Sequence, residues 1–124
     1  MKKFSFIDNP QSYNTDDAFV AHISDVKSKE DLFKQLSIVL NFPVWGFNWD
    51  ALFDCFRDFN WIKKYKIILV HDNLPYFDGH NLKIYLEILL DSVKDWKDGE
   101  NHSFEVIFPK HSESLILEYF KKPH

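Results

Sequence analysis

The chain has 124 residues, of which 45% are hydrophobic and 27% charged, a balance that suits one domain with a real core and argues against disorder. The formal net charge of −4 disfavours nucleic acid as the main partner, since phosphate binding wants a basic face, and mildly favours a basic partner. A single cysteine, Cys55, excludes an internal disulfide and a Cys-based zinc site, and no stretch approaches membrane-spanning length.

Residues 1–16 have turn composition ("DNPQSYN") and read as irregular. They start basic but contain no apolar run of signal-peptide length, so a cytoplasmic, reducing location is expected. "AFVAHI" (18–23) reads as a short strand. "SKED" (28–31) is a helix start, Ser followed three residues later by an acid. Behind it Leu32, Phe33, Leu36, Val39 and Leu40 recur at helical spacing, and Pro43 places the end near Asn41.

After the loop "PVWG", a second helix is expected from about Asn48, a good N-cap, to Phe59. "KIILV" (66–70) is a continuous apolar, β-branched run, hence a buried strand. "DNLPYFDGH" is turn chemistry, and a third helix follows over about 81–96. "SFEVIF" (103–108) is another strand, and "SESLILEYFKK" (112–122) reads as a short helix or an edge strand, with the helix favoured. Strands separated by helices imply parallel pairing with right-handed crossovers. The expected fold is α/β: one domain over 1–124, with a three-stranded parallel sheet packed by helices.

The second helix carries the most unusual pattern. Asp50, Asp54 and Asp58 are spaced one turn apart, and like charges so placed oppose a helix by a few tenths of a kcal/mol per pair. At about 100° per residue, Ala51, Leu52, Cys55, Phe56 and Phe59 fall on one side, the core face. The three aspartates, Arg57 and Phe53 fall on the other. Asp50 suits the helix dipole, whereas Asp54 gains little from it and Asp58 opposes it. Two readings stand side by side: a solvated face with one stray aromatic, or a docking surface with carboxylates for a cationic partner and an aromatic anchor. Trp45 sits in the preceding loop, where Gly46 permits an unusual backbone angle. It either tucks into the core or faces a partner.

The run "LNFPVWGFNWDALFDC" resembles the signature of the barstar family of ribonuclease inhibitors, through Gly46, Asn48, Trp49, Asp50, Ala51, Leu52, Phe53, Asp54 and Cys55. The resemblance covers about residues 17–109, leaving 1–16 and 110–124 as extensions. It implies a barstar-like fold and a function as a proteinaceous inhibitor, an immunity or antitoxin protein that blocks a ribonuclease one-to-one. Asp54 would enter the nuclease's phosphate site against its arginines and catalytic histidine. Asp50 would be the second acidic contact, Phe53 the aromatic beside it and Trp45 the loop aromatic. Gly46 and Asn48 would hold the loop and supply polar contacts, and Asp91 in the third helix falls where the family has a further acidic contact. The physics is phosphate mimicry by carboxylates on a rigid helix. It requires Asp54 to be open to solvent, with acidic surface to spare.

Two departures from the pattern matter. The loop between Pro43 and Gly46 is one residue shorter than in the family's namesake. Arg57 lies on the binding face and would repel a cationic site unless Asp54 or an acidic group of the partner engages it. Together with the extensions they imply a partner other than barnase. A barstar-like interaction domain without inhibitory activity is the alternative.

Enzymatic readings find less support. Six histidines are scattered without metal-ligand spacing, so no metal or cofactor is expected. Asp50 and Asp54, one turn apart on an open helix, lack the pocket that separates the pKa values of an acid/base pair. Cys55 falls on the core face as an inert thiol. The basic cluster "NWIKKYK" suits a helix end and solubility.

Overall fold

The computed structural model describes residues 3–121, so the outer ends of both extensions (1–2 and 122–124) lie outside it. In chain order the elements are β1 (Ser5–Ile7), a 3-10 turn (Pro10–Ser12), β2 (Phe19–Ile23), α1 (Lys29–Val39), α2 (Trp49–Phe56), β3 (Lys66–His71), α3 (Gly79–Asp95), β4 (Ser103–Pro109), a second 3-10 turn (Lys110–Ser112) and α4 (Glu113–Tyr119).

The strands form one sheet in the order β1-β4-β3-β2, with every pair parallel. The sheet thus has four strands where three were expected. The fourth, β1, comes from the segment read as irregular: it spans only three residues, and the two turn signals behind it hide it. β1 pairs with β4, placing Ser5 opposite Ile107.

Alternation along the strands sorts the side chains into two layers. Ile67 and Leu69 of β3, with Phe104, Val106 and Phe108 of β4, enter the main core beneath the helices. Ile68, Val70 and Ile107 point to the other face, where Ala18 and Tyr13 of the N-terminal segment cover them. That segment is therefore a strap across the back of the sheet. His22 ties it down: Nε2 donates to the Tyr13 carbonyl at 2.8 Å, and Nδ1 lies 2.6 Å from Asp72 Oδ1. Lys64 Nζ adds a bond to the Asp16 carbonyl at 2.8 Å.

The helix boundaries follow local chemistry. Ser28 Oγ accepts from the Asp31 amide at 3.0 Å, the cap expected from "SKED". At the far end Asn41 adopts a left-handed conformation (φ 53°), and the Phe42 amide donates to the Ser37 carbonyl at 3.0 Å, closing a Schellman motif. α2 stops at Phe56 rather than Phe59: Arg57 is its C-cap (ψ 5°), the Arg57 and Asp58 amides donate to carbonyls three residues back at 3.2 Å, and Phe59 then turns left-handed (φ 54°). That turn keeps its ring in the core, 5.1 Å from Phe104 and 6.3 Å from Trp96. α3 starts at Gly79, two residues before the expected 81, because Asp78 caps it by accepting from the Asn81 amide at 2.9 Å. No helix among the described residues is long and apolar enough to cross a membrane.

Candidate functional site

The loop and α2 are built on aromatic packing. Phe33 of α1 meets Trp45 and Trp49 edge-on at 5.2 and 5.0 Å. Trp45 also packs against Phe42 at 5.2 Å and Phe47 at 4.8 Å. Its indole Nε1 donates to Ser37 Oγ at 2.9 Å, so this ring is half-buried and its only polar handle is already engaged. The freely presented loop side chains are instead Val44, fully exposed, and Phe47, 59% exposed. Phe47 had no periodic signal to mark it.

Gly46 is needed for a reason other than the one its residue type suggested. The left-handed residue here is Phe47 (φ 49°) and not Gly46. A Cβ on Gly46 would sit 2.9 Å from Asn48 Nδ2 and 3.4 Å from the Ala51 Cβ. Asn48 folds over that glycine: Nδ2 donates to the Gly46 carbonyl at 3.2 Å while Oδ1 accepts from the Ala51 amide at 2.8 Å. One side chain thus caps α2 and staples the loop to it.

α2 is locked from below. Leu52, Cys55 and Phe56 are buried, and the Phe56 carbonyl accepts from Trp96 Nε1 at 2.9 Å. Trp49 Nε1 donates to Asn81 Oδ1 at 3.3 Å, so both ends of α2 are fastened to α3 or its end, and the two helices run side by side in the same direction. Burial, and then the charges of Asp54 and Asp58, push the Cys55 thiol up to about 11. It is an inert core group, as its face of the helix implied.

Asp50, Asp54 and Asp58 all face solvent, and the Asp54 side chain is 76% exposed. Arg57 organises this surface. Its Nη2 lies 3.2 Å from Asp54 Oδ1 and its Nη1 3.9 Å from Asp95 Oδ2 of α3. Its guanidinium carbon stands 4.0 Å from the centre of the Phe53 ring. Phe53 is consequently half-covered rather than a bare anchor. Asp91 is exposed one turn before Asp95 on α3. Asp95 belongs with the acidic set, and its i,i+4 relation to Asp91 was a signal available in the residues. Among the described residues no group of three or more His, Cys, Asp or Glu side chains could hold a metal ion.

Fold and surface together define a small parallel α/β protein with its main helices on one sheet face and an acidic helix-and-loop surface as its most distinctive chemistry. The chain belongs to the barstar family: the model described as Barstar (barnase inhibitor) matches residues 17–109. Comparison with curated proteins and with solved structures returns no match. The matched segment begins just before β2 and ends with β4, so β1, most of the strap behind it and α4 lie outside it.

Proposed function

We propose that this protein inhibits a ribonuclease by presenting α2 to the nuclease's cationic active site, as an immunity or antitoxin protein rather than an enzyme. Asp54 is the central anion in this reading. Asp50 and Asp91 flank it, Phe53 and Trp45 supply aromatic surface and packing, and Gly46 with Asn48 hold the loop. The partner is a ribonuclease bound one-to-one, in the cytoplasm of the producing cell, with no cofactor. The observation that carries the reading is Asp54 itself: a carboxylate open to solvent on a helix fixed to the core at both ends. Such rigidity lets an anion replace an RNA phosphate without reordering the chain. Complementary charge also speeds encounter, which matters when a nuclease must be silenced before it meets RNA.

The test is inhibition of barnase and other small ribonucleases, measured across ionic strength. Inhibition is expected to weaken as salt rises. Asp54→Ala is expected to lose about 2–5 kcal/mol of binding, the usual cost of truncating one member of a desolvated charge pair. That magnitude is the general one, for which barnase–barstar is the standard example. Asp54→Ala that inhibits as well as wild type, while both remain folded, would remove α2 from the interface. A hydrolytic activity abolished by Asp50→Asn would instead make the protein an enzyme. One observation favours a second reading, a barstar-like interaction domain without inhibitory activity: Arg57 already engages one oxygen of Asp54.

A further inference from the structure

The Arg57 guanidinium lies over an aromatic ring and between two carboxylates drawn from different helices, with distances of 4.0 Å to Phe53, 3.2 Å to Asp54 and 3.9 Å to Asp95. That is the environment a foreign guanidinium would seek: a π-face on one side and anions at the edge. Arg57 also has little reason to be there for stability. Its partners are mostly solvated, with Asp54 76% and Asp95 56% exposed, and the side chain itself is 37% exposed. Exposed pairs of this kind contribute little. The backbone of Arg57, not its side chain, caps α2, with its amide donating to Asp54 and Cys55 carbonyls.

We propose that Arg57 is a displaceable internal counter-ion, which occupies the place between Phe53, Asp54 and Asp95 until a guanidinium of the partner takes it over. This rests on the acidic face being the partner surface. It makes Asp95 a binding residue and gives Arg57 a role in selectivity. A partner must either deliver a guanidinium able to displace it or offer an acidic group to receive it as it swings away. A cationic surface that does neither meets a face on which one oxygen of the central anion is already engaged.

The counter-ion can be probed without a nuclease. A hexa-arginine peptide is titrated into the folded full chain by calorimetry at low salt, for wild type, Arg57→Ala, Arg57→Ala combined with Asp54→Ala, and Lys27→Ala. Lys27 serves as the charge control: it follows the carboxyl end of β2, whereas α2 ends over the amino end of β4, with Phe56 5.3 Å from Phe104. Arg57→Ala is expected to bind the peptide about five-fold more tightly, the factor set by a surface pair at the upper end of its usual worth. Adding Asp54→Ala is expected to cancel the gain, and Lys27→Ala to give much less of it. The proposal is overturned if Arg57→Ala leaves affinity unchanged or weaker, if the gain survives Asp54→Ala, or if Lys27→Ala matches it. These outcomes are independent of ribonuclease inhibition. A chain that inhibits no nuclease but shows the five-fold gain would retain the counter-ion and lose only the identity of the partner.

Discussion

At the scale of single residues, the two faces of α2 are chemically opposite within one turn. Cys55 lies between Asp54 and Phe56, yet its sulfur is buried and its thiol is held near 11 rather than at its ordinary 9.0. Desolvation is the larger cause, and the adjacent carboxylates add to it. A two-unit rise lowers the thiolate fraction at neutral pH about 100-fold, and the thiolate is the reactive species. Native protein is therefore expected to react with iodoacetamide at least about 100-fold more slowly than urea-unfolded protein, read by mass spectrometry. Equal rates would mean that α2 opens readily and is not the rigid platform described above. Asn48 is the residue on which the surface depends most locally, since it both caps α2 and holds the Gly46 carbonyl.

At the scale of elements, β3 and α3 are joined by a buried polar pair. His71 Nδ1 donates to the Ile107 carbonyl at 3.0 Å, and Nε2 accepts from the Tyr85 hydroxyl at 2.6 Å. Phe108 stacks on the imidazole at 4.0 Å. This arrangement suits the neutral ring. Burial pushes His71 down to about 3 from an ordinary 6.5, partly opposed by the bond to Ile107. Between those two values the unfolded chain takes up a proton that the folded chain refuses. Stability is thus level above pH 6.5 and falls as pH drops through the window, by up to about 1.4 kcal/mol per pH unit from this group. Denaturant melts between pH 7 and pH 4 are expected to show this slope, and His71→Gln to flatten it whatever its absolute stability. A wild-type profile with no slope above the carboxylate range would contradict a neutral buried His71. The pair also matters to the surface, because α3 carries Asp91 and Asp95 and fixes α2 through Trp96 and Asn81.

At the scale of the whole molecule, the segments outside the matched residues work together at one edge and one face. Phe4 at the start of β1 is buried against Phe108 at 5.2 Å and Phe120 at 6.1 Å, so the N-terminal strand and the segment after α4 close the β4 edge jointly. The strap between β1 and β2 covers Ile68, Val70 and Ile107 on the back of the sheet. A chain starting at residue 17 loses β1 and, with Tyr13, all of the strap but its last residues. It is expected to be destabilised by at least about 3–5 kcal/mol, the usual cost of losing one large buried aromatic such as Phe4. It is also expected to bind the dye ANS through the uncovered back face. Unchanged thermal stability and no dye binding would show that the rest of the chain is self-sufficient and these segments are passive.

Local signals carried most of the fold. Ser28, Asn48 and Pro43 mark helix ends by short-range hydrogen bonding or steric exclusion, and the apolar runs at 66–70 and 103–108 mark buried strands by hydrophobicity alone. The acidic stripe of α2 and its apolar underside were likewise readable, because both follow from 100° steps along one helix. What stayed hidden depended on partners far away in the chain. β1 is a strand only because β4, about a hundred residues later, offers a parallel edge, and three residues hold no period to betray it. Trp45 turned inward because Ser37 was there to take its N–H, leaving Phe47 outside. Arg57 reached a carboxylate on α3 that no spacing within α2 could reveal. Residue type and neighbours settle where a helix or strand can form and which side is polar. Which of those polar groups remain open to a partner is settled by long-range packing, because exposure belongs to the assembled surface and not to any segment of it.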